Sequence, residues 1–236
     1  MLWATGCSQV YGDDLDDKTK AWPYILADML GLQCKNNGVS GGTNERTIYE
    51  TIKSNPASIK IIAWTYIERF TRYDPDNNFE VNFNPGLTND YYSKEKKFIN
   101  YANMHYKYWY NDLYAFKNWL QQIIMLQKFL HNQPYVMINS HPNRYKEYTS
   151  DWENFNTNIK EYVCFDNMND EQLYKEHCEI KHYVDLIDTR CYYNLGSFYL
   201  RELEKTYPLG PTGHLIEEGH QEIAERLYPL CLKLTR

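Results

Sequence analysis

The sequence lacks long apolar runs, metal-binding cysteine pairs and an excess of basic residues. None of its apolar stretches approaches the ~20 residues that a membrane-spanning helix needs. Its six cysteines include no CxxC pair, which argues against a zinc site. Because 25 Lys and Arg stand against 31 Asp and Glu, the net charge is −6, and no basic surface for nucleic acid is expected. We therefore predict a protein that binds neither membranes nor nucleic acids and that uses no metal or cofactor.

A secretory signal and internal repeats are also missing from the sequence. Met1–Thr5 leads directly into strand-like sequence, without the charged and apolar regions of a signal peptide. The cysteines are therefore predicted to be free thiols of a reducing compartment, in a cytoplasmic or virion-associated protein. A chain of 236 residues without low-complexity linkers predicts a single domain over residues 1–236.

Short apolar strands alternate with helical segments along most of the chain. The five predicted strands are Leu2–Thr5, Cys34–Val39, Ile59–Trp64, Pro134–Asn139 and Tyr183–Ile187. The clearest predicted helices are Trp22–Leu30, Glu45–Lys53 and Glu217–Leu232. This alternation is typical of βαβ units. It predicts a three-layer α/β/α fold around a parallel, flavodoxin-like, five-stranded sheet.

A helical insert at about residues 74–130 separates the third and fourth predicted strands. Its first half, Asp74–Asp90, is rich in Asn, Pro and Gly and predicts a loop. Its second half, Phe98–Leu130, predicts a long helix with many aromatic residues. The aromatic stripe from Tyr101 to Trp119 fits a core-facing helix side, which is the commoner case, or a platform for a sugar. The Tyr-rich composition, with 23 Tyr, also suits an insert that binds protein partners.

Three segments at predicted strand ends or helix starts carry residue types that acyl transfer uses. Ligands of parallel α/β sheets bind beyond the carboxyl ends of the strands. Gly6–Ser8 follows the first strand, where a serine hydroxyl can face the crevice and turn N–H groups can hold an oxyanion. Gly41 follows the second strand, and a glycine there lets the backbone approach a ligand. His214 precedes the last helix, and its imidazole can accept and return a proton near neutral pH. Taken singly, each motif is more often an ordinary turn or cap.

The order of these motifs resembles that of the SGNH (GDSL-like) hydrolases. Gly6–Ser8 stands where the family has Gly-Asp-Ser, and Gly41 is similar to its oxyanion glycine. His214, with Gly219 five residues later and then a helix, is similar to its last motif. The resemblance implies a serine esterase or deacetylase, in which Ser8 attacks an ester carbonyl and His214 takes its proton. It also implies that the N–H groups of Ser8 and Gly41 hold the oxyanion, and that the substrate is a small-molecule or carbohydrate ester.

Three departures from the family pattern are visible. Cys7 replaces the Asp of the first motif, and Pro211 stands where the family has the Asp of its triad. After the third strand the family has an Asn as oxyanion donor, whereas this chain has Trp64-Thr65, a pattern similar to a divergent phage-type branch. The candidates for the missing oxyanion donor are Asn44, Thr65 and Arg69.

The sequence alone therefore supports a Ser8–His214 dyad without a carboxylate at the expected place. The groups considered for orienting His214 are Asp185, Asp188 and a backbone carbonyl, while His220 is the alternative base and His141 a candidate for lining the pocket or capping. The acidic residues 13–17 lack the Gly and the distal Glu of an EF-hand and predict a solvated turn. A weakly active or inactive binding or structural protein on the same fold, such as a virion component, is the competing hypothesis.

Overall fold

Four parallel strands form the central sheet of the computed structural model, which describes residues 1–74, 79–85, 96–143, 145–160, 168–196 and 198–235. The strands are β1 (Leu2–Gly6), β2 (Cys34–Gly38), β3 (Ile59–Trp64), β4 (Phe70–Asp74), β5 (Phe79–Phe83) and β6 (Tyr135–Asn139). The central sheet has the order β2-β1-β3-β6. The chain reverses direction across this sheet between β1 and β3, where open α/β sheets bind their ligands. The predicted α/β fold with a parallel sheet is confirmed.

The helices cover both faces of the central sheet. They are α1 (Ser8–Tyr11), α2 (Trp22–Met29), α3 (Asn44–Ile52), α4 (Lys96–Met104), α5 (Asp112–Phe129), α6 (Tyr145–Tyr148), α7 (Trp152–Lys160), α8 (Asp170–Leu186) and α9 (Glu217–Leu234). Successive residues of β3 point to opposite faces, as a strand requires. Ile62 and Trp64 pack into the core on the α5 and α8 side, whereas Ile61 and Ala63 pack into the core on the α2 and α9 side.

Lys60 is the one fully buried charged side chain among the described residues of β3. Its ammonium group donates hydrogen bonds to the carbonyl oxygens of Asn55, Pro56 and Ser58 at 2.9–3.1 Å. These bonds replace the water that burial removes, because an ammonium without acceptors would destabilise the core. Burial lowers the pKa of Lys60.

The predicted fifth strand, Tyr183–Ile187, is wrong, because most of this segment belongs to helix α8. Asn169 and Gln172 form a reciprocal capping box that starts this helix, and a cap of this kind fixes a helix start. Further along the described part of the chain, Tyr192 forms a single parallel bridge beside β6, to Met137. Within the described residues, the parallel sheet therefore has four strands, with one isolated bridge at its edge.

The insert differs from its prediction in both halves. Phe79–Phe83, within the predicted loop, is strand β5 and pairs antiparallel with β4. The predicted long helix is two helices, α4 and α5, separated by a π-helical turn at His105–Trp109. The aromatic stripe divides accordingly: Trp119 is buried in the core, whereas Trp109 is exposed. Residues 75–78 and 86–95 of the predicted insert lie outside the described residues.

Five cysteines of the described segments are free thiols, and Cys164 lies outside those segments. A search of the described residues for a helix with the length and apolar character of a membrane span found none.

Candidate active site

One polar cleft of about 610 Å³ opens at the carboxyl ends of β1, β2 and β3. Ser8, Gly41, Arg69, His141 and His214 all line it, so the structure brings these five predicted site residues together. Every lining residue is polar, charged or glycine. The cleft can therefore offer hydroxyl, amide and charged groups to a ligand.

Ser8 lies in a sharp turn that directly follows β1 and begins helix α1. The turn requires glycine at its entrance, because a Cβ on Gly6 would lie 2.8 Å from the carbonyl oxygen of Ala63. Ser8 is only 5% exposed. Within the described residues, the backbone N–H groups of Ser8 and Gly41 donate to no protein acceptor. They are therefore free to donate to a ligand in the cleft.

Asp14 supplies the carboxylate that Pro211 does not. Its Oδ2 accepts the backbone N–H groups of Thr212 at 2.8 Å and of His214 at 3.1 Å. Its Oδ1 accepts the hydroxyl of Thr212 at 2.8 Å, and that hydroxyl lies 2.9 Å from His214 Nδ1. The Asp14 carboxylate is 3.9 Å from His214 Nδ1, so Thr212 forms the link between them.

This chain of hydrogen bonds determines the tautomer of His214. An ionised carboxylate only accepts hydrogen bonds, so the single hydroxyl hydrogen of Thr212 is used on Asp14. The Thr212 oxygen must then accept from His214, which places a hydrogen on Nδ1. Neutral imidazole carries one hydrogen, so Nε2 is left with a lone pair. That is the form in which a histidine acts as a general base.

Asp14 is held tightly in an unusual backbone conformation. Its φ of 67° lies in the left-handed region, which a non-glycine residue adopts only when its surroundings enforce it. Gly210 packs against it so closely that an added Cβ would lie 2.4 Å from the Asp14 Cβ. Burial raises the pKa of Asp14, but the hydrogen bonds from His214 and Thr212 more than offset this, so that its pKa lies below the usual value.

No hydrogen bond joins the Ser8 hydroxyl to His214 in the described part of the chain. Both residues line the same cleft, but they are not in the contact that proton transfer requires. Catalytic hydrogen bonds are often long without a substrate and tighten when one binds. The Ser8 hydroxyl and His214 Nε2 must approach each other before the serine can be activated.

Tyr66 organises a second group of side chains in the cleft. Its ring stacks on His141 with centroids 4.0 Å apart, and the guanidinium of Arg69 lies 4.9 Å from its centroid. Its hydroxyl accepts a hydrogen bond of 2.8 Å from Arg201, whose charge is paired with Glu204 at 2.7 Å. Two guanidinium groups and one imidazole therefore meet around a single ring.

His141 is buried beside Cys7, whose Sγ lies 3.2 Å from its Nε2. Burial and the neighbouring charges of Arg69 and Arg201 hold the pKa of His141 well below its usual value. The imidazole is therefore neutral and suited to the lining role predicted for it, not to that of a surface cap.

Four of the predicted site residues serve other purposes. Asn44 accepts the backbone N–H of Thr65 at 2.8 Å, which joins the turns after β2 and β3, and neither residue lines the cleft. Asp188 forms an ion pair with Arg190 away from the cleft, so it does not orient His214. His220 is buried, accepts the backbone N–H of Trp22 and thereby ties α2 to α9. Asp185 is also absent from the cleft lining.

Sequence reasoning missed Asp14, Thr212, Tyr66 and Arg201. Asp14 was assigned to a solvated turn, although it lies six residues after Ser8 and so near the crevice. The position of Thr212, two residues before His214, was an available signal because this spacing can bring a hydroxyl to an imidazole. For Arg201 there was no such signal, since its place in the cleft depends on tertiary contacts across 135 residues.

No protein-family description and no curated protein matches the chain. Among the solved structures that resemble the chain are three esterase or lipolytic proteins. One is a carbohydrate esterase family 2 enzyme with a carbohydrate-binding domain, from Corynascus thermopiles (Myceliophthora fergusii), with 11% identity over 99% of this chain and 66% of that chain and a TM-score of 0.47. Another is a protein described as lipolytic, of the G-D-S-L family, from Desulfitobacterium hafniense, with 11% identity over 97% of this chain and 98% of that chain and a TM-score of 0.39.

The third likeness is to an acetyl xylan esterase from the rumen bacterium Butyrivibrio proteoclasticus, with 12% identity over 97% of this chain and 62% of that chain and a TM-score of 0.40. The chain thus spans less than two thirds of the length of two of these three proteins. All three TM-scores lie below 0.5.

Proposed function

We propose that the protein is a serine hydrolase that cleaves esters of small, polar substrates, with acylated carbohydrates among the candidates. Ser8 is the nucleophile and His214 the general base. Asp14 acts on His214 through the hydroxyl of Thr212. The observation that carries the proposal is this chain of hydrogen bonds, because it gives His214 the basic Nε2 that Ser8 needs in the same cleft.

In the proposed reaction, Ser8 Oγ attacks the ester carbonyl while its proton passes to His214 Nε2. The N–H groups of Ser8 and Gly41 stabilise the negative oxygen of the tetrahedral intermediate. The alcohol leaves with the proton from His214, and the acyl group stays on Ser8. Water, deprotonated by the same imidazole, then releases the acid and restores the serine.

Trapping with a fluorophosphonate tests this proposal without knowledge of the substrate. The reagent should label the intact protein at Ser8, and His214→Ala should slow labelling by about a hundredfold or more, because a general base contributes on the order of 10²–10⁴ in rate. Ser150→Ala, which removes a hydroxyl outside the cleft lining, is the control and should label as the wild type does. No labelling of folded wild-type protein, or labelling at another serine, would refute the assignment.

A non-catalytic binding protein is the second candidate function. It is favoured by one observation, the missing hydrogen bond between Ser8 and His214 in the described residues. Under this alternative the polar cleft holds its ligand without turnover. The alternative predicts that Ser8→Ala leaves ligand affinity unchanged and that the fluorophosphonate labels nothing.

A further inference from the structure

Arg69 carries a positive charge that no carboxylate in the described part of the chain neutralises. Its Nη1 donates to Thr65 Oγ1 at 3.1 Å and to the carbonyl oxygen of Gly42 at 3.4 Å. Both acceptors are neutral. Its Nε is buried and has no hydrogen-bond partner among the described residues. A half-buried cation with an unused donor is energetically unfavourable unless a water molecule or a ligand supplies the missing acceptor.

His141 presents a second unused polar atom in the same cleft. The side chain is 3% exposed, and its Nδ1 has no hydrogen-bond partner among the described residues. Sγ of Cys7 and Nε2 of His141 are 3.2 Å apart, and when the thiol is the donor in this contact the imidazole carries its hydrogen on Nδ1. The ring then offers a buried N–H donor beside the Arg69 group, both fixed by Tyr66.

The charges of the cleft form two separate groups. Asp14 belongs to the group around His214, because it binds Thr212, whereas Asp13, the other carboxylate of the lining, binds Ser40. Arg69 and His141 belong to the group around Tyr66. An anionic ligand is therefore attracted by one group and repelled by the other, which would fix its direction in the cleft.

We infer that Arg69 and His141 form a subsite for a carboxylate carried by the substrate, so that the preferred ester is an acidic one. This inference rests on the proposed ester hydrolysis for its reaction but not for its binding. A carboxylate fits better than a phosphate dianion, because its two oxygens match the planar fork of one guanidinium. Its single charge also matches Arg69, the one guanidinium in the described cleft lining that has no carboxylate partner.

A matched pair of esters tests the inference by turnover. p-Nitrophenyl acetate is neutral, and mono-p-nitrophenyl glutarate carries a carboxylate on its acyl part. We expect wild type to favour the glutarate in kcat/KM by about tenfold or more, as one charge-assisted hydrogen bond supplies. Arg69→Gln should abolish this preference mainly through KM, and Arg69→Lys should keep only part of it. Arg190→Gln, which removes an exposed arginine outside the cleft, should keep the full preference.

Calorimetric binding of sodium glutarate to Ser8→Ala is the second readout, at constant ionic strength. Binding that Arg69→Gln abolishes supports the subsite even if neither ester is hydrolysed, in which case only the proposed hydrolysis fails. Hydrolysis of both esters with equal efficiency, together with no glutarate binding, would overturn the subsite but not the proposed ester hydrolysis. A loss of kcat in Arg69→Gln that is equal for both esters would also overturn it, since Arg69 would then serve the oxyanion. If Arg69→Gln fails to fold, the kcat/KM preferences of the wild type and of Arg69→Lys for the glutarate ester test the subsite instead.

Discussion

At the scale of single residues, the hydroxyl of Thr212 links His214 to a carboxylate. In a Ser-His-Asp triad the carboxylate contacts the imidazole directly. The Asp14 carboxylate is too far from His214 Nδ1 for a hydrogen bond, at 3.9 Å, and reaches it through one threonine oxygen. A hydroxyl can both donate and accept, so it transmits the direction of the hydrogen bond from the carboxylate to the imidazole. His214 therefore has a carboxylate partner, Asp14, although Pro211 stands where the triad Asp was expected.

Breaking this relay should inactivate the protein without unfolding it. Thr212→Val keeps the shape of the side chain but removes the hydroxyl, so His214 loses its fixed tautomer. We expect kcat to fall by about a hundredfold, within the range for general-base catalysis, while Thr212→Ser stays within a few fold of wild type. Steady-state kinetics and the pH dependence of kcat check this. Full activity in Thr212→Val would show that Thr212 only shapes the loop.

Asp14→Asn probes the same relay from its other end. The new amide nitrogen would donate to the Thr212 oxygen, so the hydroxyl would donate to His214 Nδ1 and the imidazole hydrogen would move to Nε2. We expect a loss comparable to that of Thr212→Val, and no further loss in the double variant, because both changes disable one relay. Additive losses would mean that the two residues act separately.

At the scale of elements, the loop between the short helical turn Leu200–Lys205 and α9 positions His214, the proposed base. A bridge between Leu209 and Leu215 closes this loop, and the N–H of Gly210 donates to the carbonyl oxygen of His214 at 2.9 Å. Gly210 also faces Asp14, which belongs to the loop after α1. Contact between these two loops, not the central sheet, sets the distance between the base and its carboxylate.

Gly210→Ala should therefore damage activity more than stability. The added methyl would overlap the Asp14 Cβ and push the carboxylate away from Thr212, and a displaced catalytic group commonly lowers the rate by about a hundredfold. Gly31→Ala is the matched control. Gly31 has free space around it but a φ of +66°, so this substitution should lower the unfolding free energy by about 1 kcal/mol and leave kcat unchanged. Kinetics and urea unfolding of both variants test this. Wild-type kcat in Gly210→Ala would contradict it.

At the scale of the whole molecule, buried neutral histidines make stability depend on pH. Burial lowers the pKa of His220 to about 4 and holds that of His141 well below its usual value, whereas unfolded histidine has a pKa of about 6.5. Below pH 6.5 the unfolded chain takes up protons that the folded protein does not. Stability therefore falls as the pH decreases from 6.5 towards 4.

We expect each of these two histidines to remove up to about 1.4 kcal/mol of unfolding free energy per pH unit in that window. His220→Asn keeps an acceptor for the Trp22 N–H but does not titrate, so it should flatten the dependence. His131→Asn, which replaces an exposed histidine, should leave the slope as it is in wild type. Urea unfolding at pH 7, 6 and 5 measures the slopes, and equal slopes in all three proteins would refute the role of His220.

How much of the structure could be predicted from the sequence also differs by scale. Strand ends and glycine turns are local features, and they correctly led to one cleft lined by Ser8, Gly41 and His214. The alternating Phe79, Val81 and Phe83 would have predicted strand β5, but the surrounding Asn and Pro obscured it. Asp14 and Thr212 were not predictable as partners, because 198 residues separate them and no local pattern links them.

The hydrogen bonds between Asp14 and the Thr212–His214 segment join two parts of the chain that the ribosome makes at different times. A ribosome synthesises Ser8, Gly41 and Arg69 long before it reaches Thr212 and His214. Chains that end before residue 212 contain Ser8, Gly41 and Arg69 but lack Thr212 and His214. Such fragments should be hydrolytically silent during translation, and activity should begin only when the C-terminal loop docks onto the N-terminal one.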